Sequence, residues 1–435
     1  MERVRSLVDR HFTGSTDELC MDGVPVSEIA GQFGTPLFVY AASVMDRQWS
    51  SLRNALPARF QIYYSVKANP TRAILRHFLA KGAGLEIASG GEFHHAVQAG
   101  CAPDRMLFAG PGKTDAELEL VLKHGIGEIH IESLPEADRI NAICRRLGVR
   151  ARTSLRVNPG GEAQGGAMRM GGKPAAFGLD EERLEEAVGY LSKLPSLEFR
   201  GIHLFTGTQI LDDAVLIRQY RKGIDIARRA AATTGRPLHT VDFGGGLGIP
   251  YFSHERSLDM AKVRGHLAEL MHTIGTEPSL AGTTFVVEPG RFLIGEAGVY
   301  VARVTDVKVS RGKKFLILDG GMHHHLAASG NLGQTIKRNF PIAIVTRLKQ
   351  NATVTVDLAG PLCTPLDTLA RDIAVPEAQV GDLVGIFQSG AYARSASPMG
   401  FLSHPAPPEV LVADGRARLI RRRGTCEDMS ADLVV

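Results

Sequence analysis

Between residues 60 and 290 the chain repeats one pattern: a short apolar run, then a stretch whose apolar positions recur every three or four residues. The runs are 60–68, 84–89, 105–110, 128–133, 152–158, 199–207, 240–246 and 284–290. They are rich in Ile, Val, Leu and Phe and mostly do not alternate with polar residues, as expected of strands buried on both faces. Helical periodicity covers 71–81, 115–123, 135–147, 181–191 and 212–234, and 44–54 before the first run. Eight β/α units in about 250 residues predict a (β/α)₈ TIM barrel. An open doubly wound sheet is the alternative, and the regularity of the eight units favours closure. Beyond Phe292 the texture changes. Residues 298–309, 314–319, 352–358, 382–388, 410–412 and 416–420 read as strands, the last two joined by Asp414-Gly415, a tight-hairpin signal. Few helical stretches separate them, which predicts a second, mainly antiparallel β domain, joined by an early strand at 35–40. The expected domains are a barrel over 42–292 and a β domain built from both chain ends, 1–41 and 293–435.

Composition changes this picture little. The 435 residues are 44% hydrophobic and 22% charged, with a formal net charge of +4, ordinary for a globular protein of two domains. A balance so near neutral gives no reason to expect nucleic-acid binding; Arg421-Arg422-Arg423 reads as a solvated strand end. No apolar run approaches the roughly 20 residues of a membrane helix, and the charged start Met1-Glu2-Arg3-Val4-Arg5 lacks a signal-peptide core. A cytoplasmic location is expected. The five cysteines are scattered and form no CxxC pair, so neither a disulfide framework nor a zinc site is expected.

Chemistry concentrates where the runs end, the face on which barrels build their sites. Lys67 ends the first run, Glu86 and Ser89-Gly90-Gly91-Glu92 the second, Asn158 the fifth, His203, Phe205 and Thr208 the sixth, Asp242 and Gly244-Gly245-Gly246 the seventh, and Glu288-Pro289-Gly290-Arg291 the eighth. A lysine at the end of a buried strand must be paired or neutralised, and desolvation lowers an amine's pKa toward what imine formation with an aldehyde needs. Glycines 244–246 expose backbone N–H groups that can cradle a phosphate, with Arg291 as a fixed positive charge. The GxGxxG spacing of a dinucleotide fold is missing. Glu288, closing an apolar strand, needs a cationic or N–H partner.

Seven ordered motifs from about Thr35 to Ala413 carry a resemblance. They are Tyr64-Ser65-Val66-Lys67-Ala68-Asn69, Ala88-Ser89-Gly90-Gly91-Glu92, Gly201-Ile202-His203 through Gly207-Thr208-Gln209, Asp242-Phe243-Gly244-Gly245-Gly246, Glu288-Pro289-Gly290-Arg291, Gly360-Pro361-Leu362-Cys363 and Ser389-Gly390-Ala391-Tyr392. Together they resemble the fold-type III pyridoxal-phosphate decarboxylases, the family of diaminopimelate and ornithine decarboxylases. The resemblance implies that pyridoxal 5′-phosphate is joined to Lys67 and that Glu288 pairs with its pyridine nitrogen. Thr208, Gly245, Gly246, Gly290, Arg291 and Tyr392 would surround the phosphate, and Glu86 would belong to the same pocket. It also implies a homodimer with shared sites, in which Cys363 of the partner subunit protonates the carbon that lost its carboxylate.

The departures concern the substrate. The family's ring-stacking histidine falls, by register, on Phe205, which can still stack. The Arg and Tyr that hold diaminopimelate are missing from Met322–Asn331, and Cys363 is followed by Thr364 where that enzyme has a glutamate. Asp367 is the nearest acidic residue to the ones ornithine-type enzymes carry after the cysteine. Three stretches, His323–Asn331, Cys363–Asp367 and Ser395–Pro398 leading to Phe401–Pro405, are similar to exosortase-associated decarboxylases and to the butirosin-pathway enzyme acting on a glutamyl group on an acyl carrier protein. A carrier-tethered or extended amino acid is therefore expected, with free meso-diaminopimelate as the alternative. A racemase, a pyridoxal-phosphate carrier protein and a non-catalytic regulatory homologue are the rivals. The last would be expected to lose Lys67 or Cys363. No metal is expected: adjacent histidines such as His323-His324-His325 point in different directions. The glycine-rich stretch 160–166 is expected to be a mobile loop over the site.

Overall fold

The computed structural model describes residues 2–434 except 161–167, 170–173, 206, 333 and 335, with the backbone alone at 168 and 169. Eight parallel strands close on one another: β1 (Phe60–Ser65), β2 (Gly84–Ile87), β3 (Met106–Phe108), β4 (Glu128–Ile131), β5 (Ala151–Asn158), β6 (Leu197–Leu204), β7 (Thr240–Asp242) and β8 (Thr284–Val287). Each pairs with its sequence neighbours, and β8 returns to β1 with Phe285 opposite Phe60. This is a (β/α)₈ barrel. Crossover helices include Arg72–Ala80, Asp115–Lys123, Leu134–Leu147, Leu184–Leu191, Asp213–Thr234 and Met260–Ile274. The β1–β8–β7 seam is locked by aromatics: the Phe60 ring lies 5.3 Å from Phe285 and 6.0 Å from Phe243, and Tyr220 stacks on Phe243 at 4.4 Å.

Most strands are shorter than the apolar runs that announce them; the exception is β5, Ala151–Asn158. β1 stops at Ser65, and Val66–Ala68 is a 3₁₀ turn. After β1 and β8 the run continues because the turn that follows is itself buried, as at Val66, Ala68, Pro289 and Gly290. The segment after β2 holds a helix, Gly90–Ala99, with Ser89 Oγ accepting from Glu92 N.

The other unit comprises residues up to Trp49, 250–256 and from Arg291 onward. Its sheet runs in the order Thr368–Val375, Val354–Ala359, Lys313–Leu318, Gly298–Ser310, Leu37–Ala41, Glu409–Ala413, Arg416–Arg421. Leu383–Phe387 pairs with Gly298–Ser310, and Ile342–Ile344 with Leu383–Phe387. Most pairings are antiparallel, but Leu37–Ala41 runs parallel to Glu409–Ala413 and Lys313–Leu318 parallel to Val354–Ala359. Asp414 and Gly415 both take positive φ at the terminal hairpin, as a type I′ turn requires. Residues 250–256 lie within the range expected of the barrel yet group with this unit. The reason is local: Gln388 Nε2 donates to Pro250 O at 2.8 Å, Arg3 also donates to Pro250 O, and Tyr251 packs on Phe340 at 4.8 Å. Among the described residues no helix is long and apolar enough to cross a membrane.

Candidate active site

Lys67 projects from the 3₁₀ turn at the C-terminal end of β1. Its Nζ donates to both carboxylate oxygens of Glu86 at 2.8 Å. Glu86 lies within β2 and is 1% exposed, whereas the Lys67 side chain is 46% exposed. Ser65 Oγ donates to Glu86 Oε2 at 2.5 Å and fixes its rotamer. A buried carboxylate thus holds the amine at a partly open barrel mouth.

Glu288 follows β8 and is buried. His203 Nε2 lies 3.4 Å from its Oε2, and among the described residues Oε1 has no hydrogen-bond partner. Burial pushes this carboxyl up. His203, His130 and Lys67 outweigh burial and leave it below the usual carboxylate range. Asp242, at the end of β7, goes the other way: burial and the Glu288 charge hold it well above that range. Burial and the neighbouring His130 bring the His203 imidazole down to about 4. The two carboxyls are thus displaced in opposite directions, Asp242 toward its protonated form and Glu288 toward its ionised form.

The glycine turn after β7 has no room for side chains. A Cβ on Gly245 would stand 2.6 Å from Glu288 O; one on Gly246, where φ is +97°, would stand 2.8 Å from Gly207 O. A Cβ on Gly290 would meet Ala68 Cβ at 2.8 Å. Thr208 lies in the short strand Gly207–Thr208, paired with Met168–Arg169. Phe205 sits beside Gly244 and Gly245, with the Arg156 guanidinium 6.0 Å from its ring centroid. Arg156 is fixed in turn by Glu132 at 2.7 Å and by the Phe177 ring at 4.8 Å.

In the β unit Arg291 Nη1 donates to Tyr251 Oη at 2.9 Å, and its guanidinium lies 4.8 Å from the Tyr392 ring centroid. Arg291 Nε is buried and has no hydrogen-bond partner among the described residues. Cys363 is exposed. Its turn is tied down by Asp367, which accepts from Met322 N at 2.6 Å and Leu362 N at 2.9 Å. Asp367 is 3% exposed. The acidic residue nearest Cys363 is therefore committed to backbone and is not a grip for a substrate amine. His323, His324 and His325 are all buried; His324 Nδ1 lies 3.2 Å from Tyr300 Oη and His325 Nε2 2.9 Å from Ser389 Oγ. The expected loop at 160–166 lies outside the described residues apart from Gly160, whose N–H donates to Glu181 Oε2 at 2.8 Å.

These groups suit pyridoxal phosphate. Glu288 keeps acceptor capacity for a protonated ring nitrogen, the glycine turn offers N–H groups where a side chain would not fit, and Lys67 supplies the amine. The sequence reading missed His130. It stands in Glu128-Ile129-His130-Ile131-Glu132, where polar and apolar residues alternate, the one signal that could have revealed a polar face pointing into the barrel.

Barrel and site together define a class. The model of the pyridoxal-dependent decarboxylases, pyridoxal binding domain, matches residues 42–295, and the chain belongs to that family of amino-acid decarboxylases. It is 36% identical over 414 residues to the L-glutamyl-[BtrI acyl-carrier protein] decarboxylase of Niallia circulans, covering 94% of this chain and 96% of that one. It is 33% identical over 410 residues to the diaminopimelate decarboxylase of Aquifex aeolicus, with 93% of each chain covered. The crystal structure of diaminopimelate decarboxylase from M. jannaschii matches with a TM-score of 0.88 at 26% identity over 97% of each chain.

Proposed function

We propose that this chain removes the α-carboxylate from an amino acid whose far end is extended or tethered, a glutamyl group on an acyl carrier protein being the nearest example, and that it does so as a pyridoxal-phosphate-dependent homodimer. The observation that carries the substrate reading is the state of Asp367. With Thr364 beside Cys363 and Asp367 occupied by two backbone amides, neither offers a free carboxylate to bind the distal ammonium of diaminopimelate or ornithine. The likeness to the glutamyl-carrier enzyme points the same way.

Pyridoxal phosphate, when bound, acts as the electron sink for the bond that breaks. The residues of the chain do the rest. Lys67 is the amine that holds the cofactor, and Glu86 keeps that amine oriented. Glu288, ionised in a dry site, favours the protonated pyridine nitrogen. By the resemblance, Thr208, Gly245, Gly246, Gly290, Arg291 and Tyr392 would hold the phosphate, and Phe205 would supply an aromatic face for the ring. Cys363 of the partner subunit holds the proton delivered to the carbon that lost its carboxylate.

Carbon dioxide release should be measured over free glutamate, ornithine, meso-diaminopimelate and glutamyl-loaded acyl carrier protein. Turnover of the carrier-bound or another extended substrate in clear excess over the free amino acids is expected. Turnover confined to free diaminopimelate would sink the substrate reading and leave the decarboxylase assignment standing.

A further inference from the structure

Behind Glu288 the barrel interior holds a line of ionisable groups. His130, on β4, has carboxylates at both ring nitrogens. Nδ1 lies 3.9 Å from Glu288 Oε1, and Nε2 lies 3.7 Å from Asp242 Oδ2 and 3.6 Å from Glu128 Oε1. The ring stacks on His203 at 4.2 Å between centroids and 21° between planes. Glu128 accepts from Thr240 Oγ1 at 3.1 Å and from Ser154 Oγ, and its Oε2 lies 3.9 Å from Arg200 Nε. The Arg200 side chain is 28% exposed. The line therefore runs from the barrel end that carries Lys67 to a half-exposed arginine on β6.

His130, His203, Asp242 and Glu288 are all at most 5% exposed. Both nitrogens of each ring, Asp242 Oδ2 and Glu288 Oε1 lack a hydrogen bond of good geometry. Buried polar groups left this way cost kilocalories each, so a cluster of them calls for a function. The four side chains lie close enough to surround a metal, their ligand atoms within 4.8 Å of one another. The stacked rings argue against one. An ion shared by two near-parallel imidazoles would stand up to about 2 Å out of each ring plane, as far as a whole metal–nitrogen bond, whereas the lone pairs lie in the planes.

We propose that His130 is a positioning residue for Glu288, its imidazole tying that carboxylate to Asp242 so that Glu288 stays ionised and aimed at the pyridine nitrogen. The inference rests on the reading of Glu288 given above. The ring stands between the carboxylates, Nδ1 facing Glu288 Oε1 and Nε2 facing Asp242 Oδ2 and Glu128 Oε1. The Asp242 carboxyl is held upward by burial and by the Glu288 charge, and His130 is among the groups that hold Glu288 downward. Without the ring, Glu288 loses a neighbour that favours its ionised form and competes with Asp242 for a proton.

Two measurements on the full-length protein test this. Equilibrium binding of pyridoxal phosphate is compared with that of its analogue carrying carbon in place of the ring nitrogen. Wild type should prefer the natural cofactor, and His130→Leu and His130→Asn should each shrink that preference by tenfold or more. Infrared spectra of the cofactor-free protein should show a new protonated-carboxyl band in His130→Leu that vanishes when Glu288→Gln is added. If either folded variant keeps the full preference, or no new band appears, the role of His130 is overturned while that of Glu288 stands. If wild type itself shows no preference, Glu288 does not serve the ring nitrogen and both readings fall.

Discussion

Glu92 changes charge in the physiological range. Burial lifts its carboxyl to about 7, with the Glu86 charge adding to the rise and the Ala88 N–H and Lys67 opposing it. It is neutral below pH 7 and negative above, beside the Lys67–Glu86 pair. The rate at which cofactor becomes attached to Lys67 should show an inflection near pH 7 that disappears in Glu92→Gln. The stability sign follows: a carboxyl whose folded value exceeds its unfolded one favours folding in acid, and that contribution fades as pH rises through about 7. Lys67→Ala should leave no cofactor on the chain after borohydride reduction, read by mass. It should lower kcat by more than about 100-fold, the low end for a single proton-handling group. Lys67 and Glu288 were legible because each ends an apolar run, where a charge is conspicuous. His130 was not, since one histidine inside Glu-Ile-His-Ile-Glu reads as part of the strand. Asp367 could be seen to lie near Cys363 in sequence, but its backbone partners, Met322 N and Leu362 N, could not.

The helix Gly90–Ala99 shows what governs element boundaries. It begins with two glycines, each worth about 1 kcal/mol against helix formation relative to alanine, and propensity alone rejects it. Ser89 reverses that by accepting from Glu92 N at 3.2 Å, and Glu117 Oε1 takes the Gly90 N–H at 2.8 Å. Ser89→Ala should cost about 1 kcal/mol, measured as a fall in urea midpoint at unchanged slope. Existence and order of the eight barrel strands could be read from their apolar runs. Their ends could not, because hydrophobicity outlasts the ladder wherever the next turn is buried, as at Val66 and Ala68. Two strands of that unit's larger sheet escaped for different reasons. Ile342–Ile344 is too short to show a period, and Thr368–Val375 bulges against Val354–Ala359 and breaks its alternation.

At the scale of the molecule, acid should act first through buried histidine. Burial, opposed by a backbone hydrogen bond, sets His325 at about 3. Burial and a neighbouring histidine's charge set His323 at about 4 and His324 at about 2. All three lie far below the unfolded value of about 6.5. The unfolded chain takes up these protons as pH falls through 6.5 and the folded chain does not until near 4 or below. Each histidine therefore removes up to about 1.4 kcal/mol of stability per pH unit across that window. Urea titrations at pH 7 and pH 5 should show a marked loss, and equal midpoints would contradict these assignments. The sheet of the β unit has one further consequence. Leu37–Ala41 lies between Gly298–Ser310 and Glu409–Ala413, so its neighbours on both sides come from the far end of the chain. At roughly 5–20 residues per second, this strand leaves the ribosome about 20–75 seconds before its parallel neighbour exists. All eight barrel strands can close in that interval, while five apolar residues wait unpaired. Nascent chains arrested before residue 298 should expose that strand to chaperones, which gives the enzyme a point of vulnerability in its birth that its finished form conceals.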